Sequence, residues 1–250
     1  MITRPKDQML ELVQSLKVAG NVVIPAPLIR IEHLELASKD LKQFLEWSDI
    51  VIFTSQNTIL PTVGKIGDLK IFGDKRIFAV GKKTQERLLA EKISQVSIPE
   101  GANSTEGLLT LKELSQSHIA NKNILIIKGR GGRKKLRHNL LERGANLKYI
   151  DSYFRKETNI SISQVLHAED ITMPDLIIIT SGSILLTLVK KIKSENLNVL
   201  FSTSLLVVSQ RLAKIARRLG FIGDIRTAMN ANDEAIMDSI KYWGLQSDEK

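Results

Sequence analysis

Val51-Ile-Phe-Thr-Ser-Gln-Asn57 and, 126 residues later, Ile177-Ile-Ile-Thr-Ser-Gly-Ser183 decide how this chain is read. Each is a short apolar run closing on Thr-Ser, the point where a buried parallel strand leaves its sheet and a helix begins. Counting these two, the runs of this kind are Ile50 to Phe53, Ile77 to Val80, Ile124 to Ile127, Leu176 to Ile179 and Leu205 to Val208, each followed by a polar turn and a segment of helical period. Strands alternating with helices define an α/β class with mainly parallel sheets.

The halves match at further points in the same order. Ile77-Phe-Ala-Val-Gly81 corresponds to Leu205-Leu-Val-Val-Ser209, offset by 128 at the last residue. Ala102-Asn-Ser-Thr-Glu106, before a helix predicted over Gly107 to Ser115, corresponds to Ala231-Asn-Asp-Glu234, before a helix over Ala235 to Trp243. Ile2-Thr-Arg4 precedes a helix with Met9, Leu10, Val13 and Leu16 that stops at Gly20. Its counterpart is Lys128-Gly-Arg130, before a helix with Leu136, Leu140 and Leu141 that stops at Gly144, again with an offset of 126 at the arginine. Internal similarity of this kind is the signature of a duplicated unit. Two similar α/β lobes are expected.

Composition bounds the partners. The 250 residues include 36 Lys and Arg against 27 Asp and Glu, a formal charge of +9, with an isoelectric point near 9.6. Such a chain suits anions: nucleic acid, an acidic membrane face, or a small molecule with several carboxylates or phosphates. Aromatic residues make up only 5%, which counts against single-strand nucleic-acid binding through stacked rings. Cysteine is absent, so disulfides, thiolate metal sites and cysteine nucleophiles are excluded, in keeping with a reducing, cytoplasmic location. His33, His118, His138 and His167 are too scattered for metal-ligand spacing, and no metal is expected. Met1-Ile-Thr-Arg-Pro-Lys-Asp7 has no apolar core of signal-peptide length and no run approaches the length of a membrane span, so neither a signal peptide nor a membrane segment is expected.

Ligands of open parallel sheets sit beyond the carboxyl ends of the strands, where helix N-termini present unpaired N–H groups. The turns there carry Thr3-Arg4, Thr54-Ser55-Gln56-Asn57, Gly81-Lys82-Lys83-Thr84, Lys128-Gly-Arg130-Gly-Gly-Arg133, Thr180-Ser181 and Ser209-Gln-Arg211. Taken singly, each Ser or Thr is explained better as a helix cap. Taken together they form an anion-binding rim in both halves. Arg130 and Arg133 precede or open the helix and can grip carboxylates bidentately, whereas Lys134, Lys135 and Arg137 are better read as a solvated helix face. Known nucleotide motifs fail: a P-loop ending at Gly81 would need glycine where Arg76 stands and Ser or Thr where Lys83 stands, and Lys134 occupies the third glycine of a dinucleotide fingerprint. No Gly-x-Ser-x-Gly elbow is present.

These residues resemble the uroporphyrinogen-III synthase family. The resemblance runs through Thr3-Arg4-Pro5, the passage from Gly20 to Pro25-Ala-Pro27, Phe53-Thr-Ser-x-Asn57, Ala79-Val-Gly-x-x-Thr84, Pro99 to Gly107, Gly129-Arg-Gly-Gly-Arg133-x-x-Leu136, Arg143-Gly-Ala145 leading to Tyr153, and Thr180-Ser181. It implies two lobes, residues 1–33 with 157–250 and residues 34–156, joined by a two-stranded linker with the active cleft between them. It also implies a cofactor-free lyase that closes hydroxymethylbilane, a linear tetrapyrrole bearing eight carboxylates, into uroporphyrinogen III with loss of water and inversion of the terminal ring. A monomer is expected, with neither nucleic acid nor membrane as partner.

By the resemblance, Tyr153 assists departure of the hydroxyl as a proton donor; a half-buried ring in a structural role is the alternative for a tyrosine at a strand end. Substrate contacts are expected from Arg4, Thr54, Ser55, Asn57, Gly81, Thr84, Arg130, Arg133, Thr180, Ser181, Ser209 and Arg211. The chain departs from many relatives at Ser209-Gln-Arg-Leu212, where Gly-Pro-x-Thr is common, so Ser209 or Arg211 stands in for the usual hydroxyl donor. A non-catalytic binder of polyanionic small molecules is the alternative function.

Overall fold

The computed structural model describes residues 1–100, 104–131 and 135–247, with side chains to residue 241. Its strands are β1 (Ile29–His33), β2 (Ile50–Phe53), β3 (Arg76–Ala79), β4 (Val96–Ser97), β5 (Asn123–Gly129), β6 (Asn146–Glu157), β7 (Leu176–Ile179), β8 (Ser204–Val207) and β9 (Ile225–Thr227). The chain divides into two compact units, Met1–Arg30 with Lys156–Lys250, and Ile31–Arg155.

The second unit is built on a six-stranded sheet in the order β1-β6-β5-β2-β3-β4. From β6 to β4 every pairing is parallel. Alternation along the pleat sends Val51, Phe53, Ile77, Ala79, Leu125 and Ile127 into one core, and Ile50, Ile52, Phe78, Ile124 and Ile126 into another on the opposite face. Burial on both faces explains why the inner strands read as unbroken apolar runs. It also locks the register, because a slip of one residue would exchange the two sets of side chains. β1 meets β6 running the other way: Leu34 N donates to Ser152 O at 2.9 Å and Thr158 N to Leu28 O at 3.0 Å, so one chain rises as the other falls.

The first unit repeats the plan. β7, β8 and β9 are parallel neighbours, and Ile2 extends the sheet by parallel bridges to Ile178 and Pro25. Ile177, Ile179, Leu205 and Val207 enter one core, while Ile2, Ile178 and Leu206 enter the other.

Three expectations are corrected. The first concerns the repeat. Ile2 bridges Ile178 and Pro25 as Ile126 pairs with Ile52 and Tyr149, so the hydrogen-bond register relates Ile2 to Ile126, an offset of 124 rather than 126. Gly20 and Gly144 share this offset, and each stops its helix at positive φ, +83° and +80°. Arg4 is therefore level with Lys128, not Arg130.

The second is the helix predicted over Gly107 to Ser115, which is three short pieces: Thr105–Leu108, a 3-10 turn at Lys112–Leu114, and Gln116–Ile119. The Thr110 hydroxyl and amide both donate to Gly107 O, and Leu111 turns extended. Such side-chain competition for helix carbonyls ends a helix early.

The third is the phase of two apolar stripes. Leu10 and Leu141 are 62% and 46% exposed. Met9, Leu12 and Leu16 form the buried face of the helix Leu10–Val18 and its lead-in, and Leu136 and Leu140 that of Lys135–Glu142.

Candidate active site

In the second unit the carboxyl ends of β6, β5, β2 and β3 stand side by side. Thr54 continues β2, its amide and hydroxyl both donating to Ile127 O at 3.1 and 3.2 Å. Ser55, in extended backbone at φ −166°, accepts from Asn57 N at 3.3 Å. Gly81 stands at the corresponding point of the next strand, with its carbonyl accepting from Thr84 N and Gln85 N. Thr84 is buried.

Next to these, β5 and β6 carry the basic and aromatic groups. Lys128 pairs with Asp151 at 2.6 Å. The ladder then slips: Lys128 faces Asp151 but Gly129 faces Tyr153, leaving Ser152 as an extra residue. A bulge bends its strand and re-aims the side chains beyond it. Ser152 and Tyr153 are consecutively buried as a result. Arg130 N donates to Tyr153 O at 2.7 Å, and its exposed guanidinium lies 5.8 Å from the Phe154 ring centre. The Tyr153 ring, 2% exposed, lies against Gly129, and its hydroxyl accepts from Arg155 at 3.2 Å. Arg133 lies outside the described residues.

The first unit has an equivalent rim. Thr3 Oγ1 donates to Ile178 O at 2.6 Å. Ser181 accepts from Ile184 N and Ser209 from Leu212 N, both at 3.3 Å, each capping the helix that follows. Thr180 is half-buried and Arg211 exposed. Arg4 is buried, and its guanidinium is turned to Asp233, Ala231 O and Gln8 O.

The structure thus gathers Thr54, Ser55, Asn57, Gly81, Thr84, Arg130 and Tyr153 at one sheet end, and Arg4, Thr180, Ser181, Ser209 and Arg211 at the other unit's sheet end. Ser55, Ser181 and Ser209 all cap helices, as the local reading allows. A hydroxyl that accepts a capping bond keeps its own proton to donate, so the cap role and a carboxylate contact are compatible. Two partners are new. Asp233, 229 positions from Arg4, had no local signal. Arg155 had one, since residues two apart on a strand share a face. Among the described residues, no group of three or more His, Cys, Asp or Glu is placed to hold a metal ion, and no helix is long and apolar enough to cross a membrane.

Fold and rim together define an α/β protein of two parallel-sheet units whose strand ends present hydroxyls, helix N-termini and arginines. A family model described as uroporphyrinogen-III synthase HemD matches residues 11–237. The chain belongs to the uroporphyrinogen-III synthase family. It is 31% identical over 250 residues to the uroporphyrinogen-III synthase of Escherichia coli, covering 96% of this chain and 99% of that one. It is likewise 31% identical over 255 residues to that of Salmonella typhimurium, with the same coverage. Among solved structures, a mutant uroporphyrinogen III synthase of Thermus thermophilus superposes with a TM-score of 0.61 at 12% identity, covering 98% of both chains. The synthetase of Helicobacter pylori gives 0.58 at 18%, covering 90% of this chain and 96% of that one. These two likenesses concern the fold.

Proposed function

We propose that the protein cyclises hydroxymethylbilane to uroporphyrinogen III, as a lyase of tetrapyrrole biosynthesis. The observation that carries this is the family match, with 31% identity along nearly the whole length of the Escherichia coli enzyme. In the proposed route the hydroxymethyl group ionises to an azafulvenium cation as water departs. The substituted carbon of the terminal ring attacks, a spiro intermediate re-forms that ring inverted, and the macrocycle closes. The pyrroles supply the electron push, so neither a strong nucleophile nor a metal is required. The protein's task is to hold the chain in the geometry that favours attack at the substituted position over the unguided, non-inverted closure.

Within this proposal Tyr153 is the proton donor to the leaving hydroxyl. Arg4, Thr54, Ser55, Asn57, Gly81, Thr84, Arg130, Arg133, Thr180, Ser181, Ser209 and Arg211 supply contacts to the substrate carboxylates and pyrroles. Support comes from the clustering of the described members of this set at the two sheet ends, where helix N–H groups favour anions. Residues 1–33 with 157–250 and residues 34–156 are proposed to act as two lobes joined by β1 and β6, with the tetrapyrrole held in a cleft between them. A cytoplasmic monomer working without nucleic acid or membrane completes the proposal.

Purified protein given freshly prepared hydroxymethylbilane should yield the type III isomer on chromatographic separation. Type I alone, or porphyrinogen binding without turnover, overturns the assignment.

A further inference from the structure

Tyr153 is almost fully buried, yet Arg155, the group on its hydroxyl, is exposed. The Arg155 Nη2 lies 3.2 Å from Tyr153 Oη, and the guanidinium carbon is 5.4 Å from the ring centre. Guanidinium has donors and no acceptor, and it keeps its proton in proteins. The direction of this hydrogen bond is therefore fixed by chemistry: Arg155 donates and the phenol oxygen accepts. The phenolic proton is left to point elsewhere. No other hydrogen bond to the Tyr153 hydroxyl occurs among the described residues.

The strand geometry makes the pair. Residues 153 and 155 are two apart on β6 and lie on one side of it. The bulge opposite Gly129 has already turned Tyr153 inward, and Gly129, lacking a side chain, admits the ring.

We propose that Arg155 is a positioning residue for the proton transfer from Tyr153, an inference that rests on Tyr153 being the proton donor. By donating to Oη, Arg155 holds the hydroxyl and directs its proton away from the guanidinium, toward the departing group. When the carbon–oxygen bond of the hydroxymethyl group breaks, that proton leaves with the oxygen as water, and the phenol oxygen becomes anionic. Arg155 is then already hydrogen-bonded to the new charge, so a bond in which only the donor was charged becomes one between opposite charges, stronger in the charged state than in the resting one. The proton lost from the ring carbon as the macrocycle closes restores the phenol. No other reactant is needed.

The test compares R155M, R155K, Y153F and the double variant Y153F/R155M in formation of the type III isomer, with urea midpoints measured alongside. R155M is expected to lower kcat at least about tenfold, a part of the roughly hundredfold or larger contribution of a general acid, with KM within about threefold and the urea midpoint unchanged. R155K, which keeps a charged donor, should recover part of the loss. In the Y153F background R155M should cost nothing further, since residues acting as one unit are not additive. Should R155M fold poorly, R155Q takes its place. Wild-type kcat in R155M, or a full additional loss in the double variant, overturns the proposal. Wild-type kcat in Y153F overturns the donor assignment instead, and the proposal with it.

Discussion

Gly129 lies directly against the Tyr153 ring: a Cβ built at Gly129 would fall 2.6 Å from Cζ and 2.9 Å from Oη. Real Cβ atoms do not approach other atoms so closely, so any side chain at 129 must displace the ring. Gly129→Ala is expected to lower turnover roughly tenfold to a hundredfold through misplacement of the hydroxyl, while far-ultraviolet circular dichroism stays that of the wild type. An alanine variant with full kcat would show that the ring's position is unimportant.

Tyr153→Phe removes the hydroxyl and retains the ring. Turnover to type III should fall about a hundredfold or more, with the urea midpoint nearly unchanged because Arg155 is exposed and can turn to water. Unaltered turnover would leave Tyr153 with a packing role only.

Arg130 is exposed and stacked near Phe154, well placed to meet an incoming carboxylate. Reversing its charge with Arg130→Glu should raise KM about tenfold and leave kcat within about twofold, the pattern of an interaction made equally in ground and transition states. Substrate titration across the two proteins at fixed salt is the measurement. An unchanged KM contradicts the placement.

The Arg4 and Asp233 side chains are 5% and 18% exposed, so removing the carboxylate strands a buried guanidinium. Asp233→Ala is expected to destabilise the protein by about 3 kcal/mol in urea unfolding. Arg4→Met added to Asp233→Ala should restore part of that loss, because the uncompensated charge is gone. A double variant less stable than Asp233→Ala would show that the arginine packs favourably without its partner.

Glu195 follows the helix Gly182–Ser194 and reaches the start of Ile162–Ala168. Burial alone would raise its pKa, but hydrogen bonds from Ser163 N, Ile162 N and the Ser161 and Ser163 hydroxyls outweigh it, and the pKa is lowered from 4.5. A carboxylate with a depressed native pKa adds stability above its unfolded value, and this is lost as pH falls through the native one. Unfolding free energy should therefore decline as pH drops below about 4.5, less steeply in Glu195→Gln than in the wild type. Parallel curves for the two proteins would remove Glu195 from the acid response.

Much of this was legible along the chain. The inner strands β2, β3, β5, β7 and β8 were readable to within a residue or two because both faces of each are buried, which leaves an unmistakable apolar run. β1 and β6 were anticipated only as the two-stranded linker that the resemblance implies, because their residues are mostly half-buried or exposed; β4 and β9, short and with half-buried residues, were missed. The caps at Ser55, Ser181 and Ser209 were readable since a cap bonds two or three residues ahead. The stripes on Leu10–Val18 and Lys135–Glu142 were read with exposed leucines included, because periodicity defines a face less sharply than the packing that covers it.

The sequence by itself determined the α/β class, the duplication and the polar strand ends, all of which depend on side-chain period and on contacts within one turn of chain. Only the tertiary structure decided that Ile2 joins the sheet beside Ile178, that Arg4 meets Asp233, and that the bulge at Gly129 turns Tyr153 inward under Arg155. Parallel neighbours and ion pairs between distant residues are set by the order in which strands assemble, and a parallel strand carries the same apolar pattern whichever neighbour it joins.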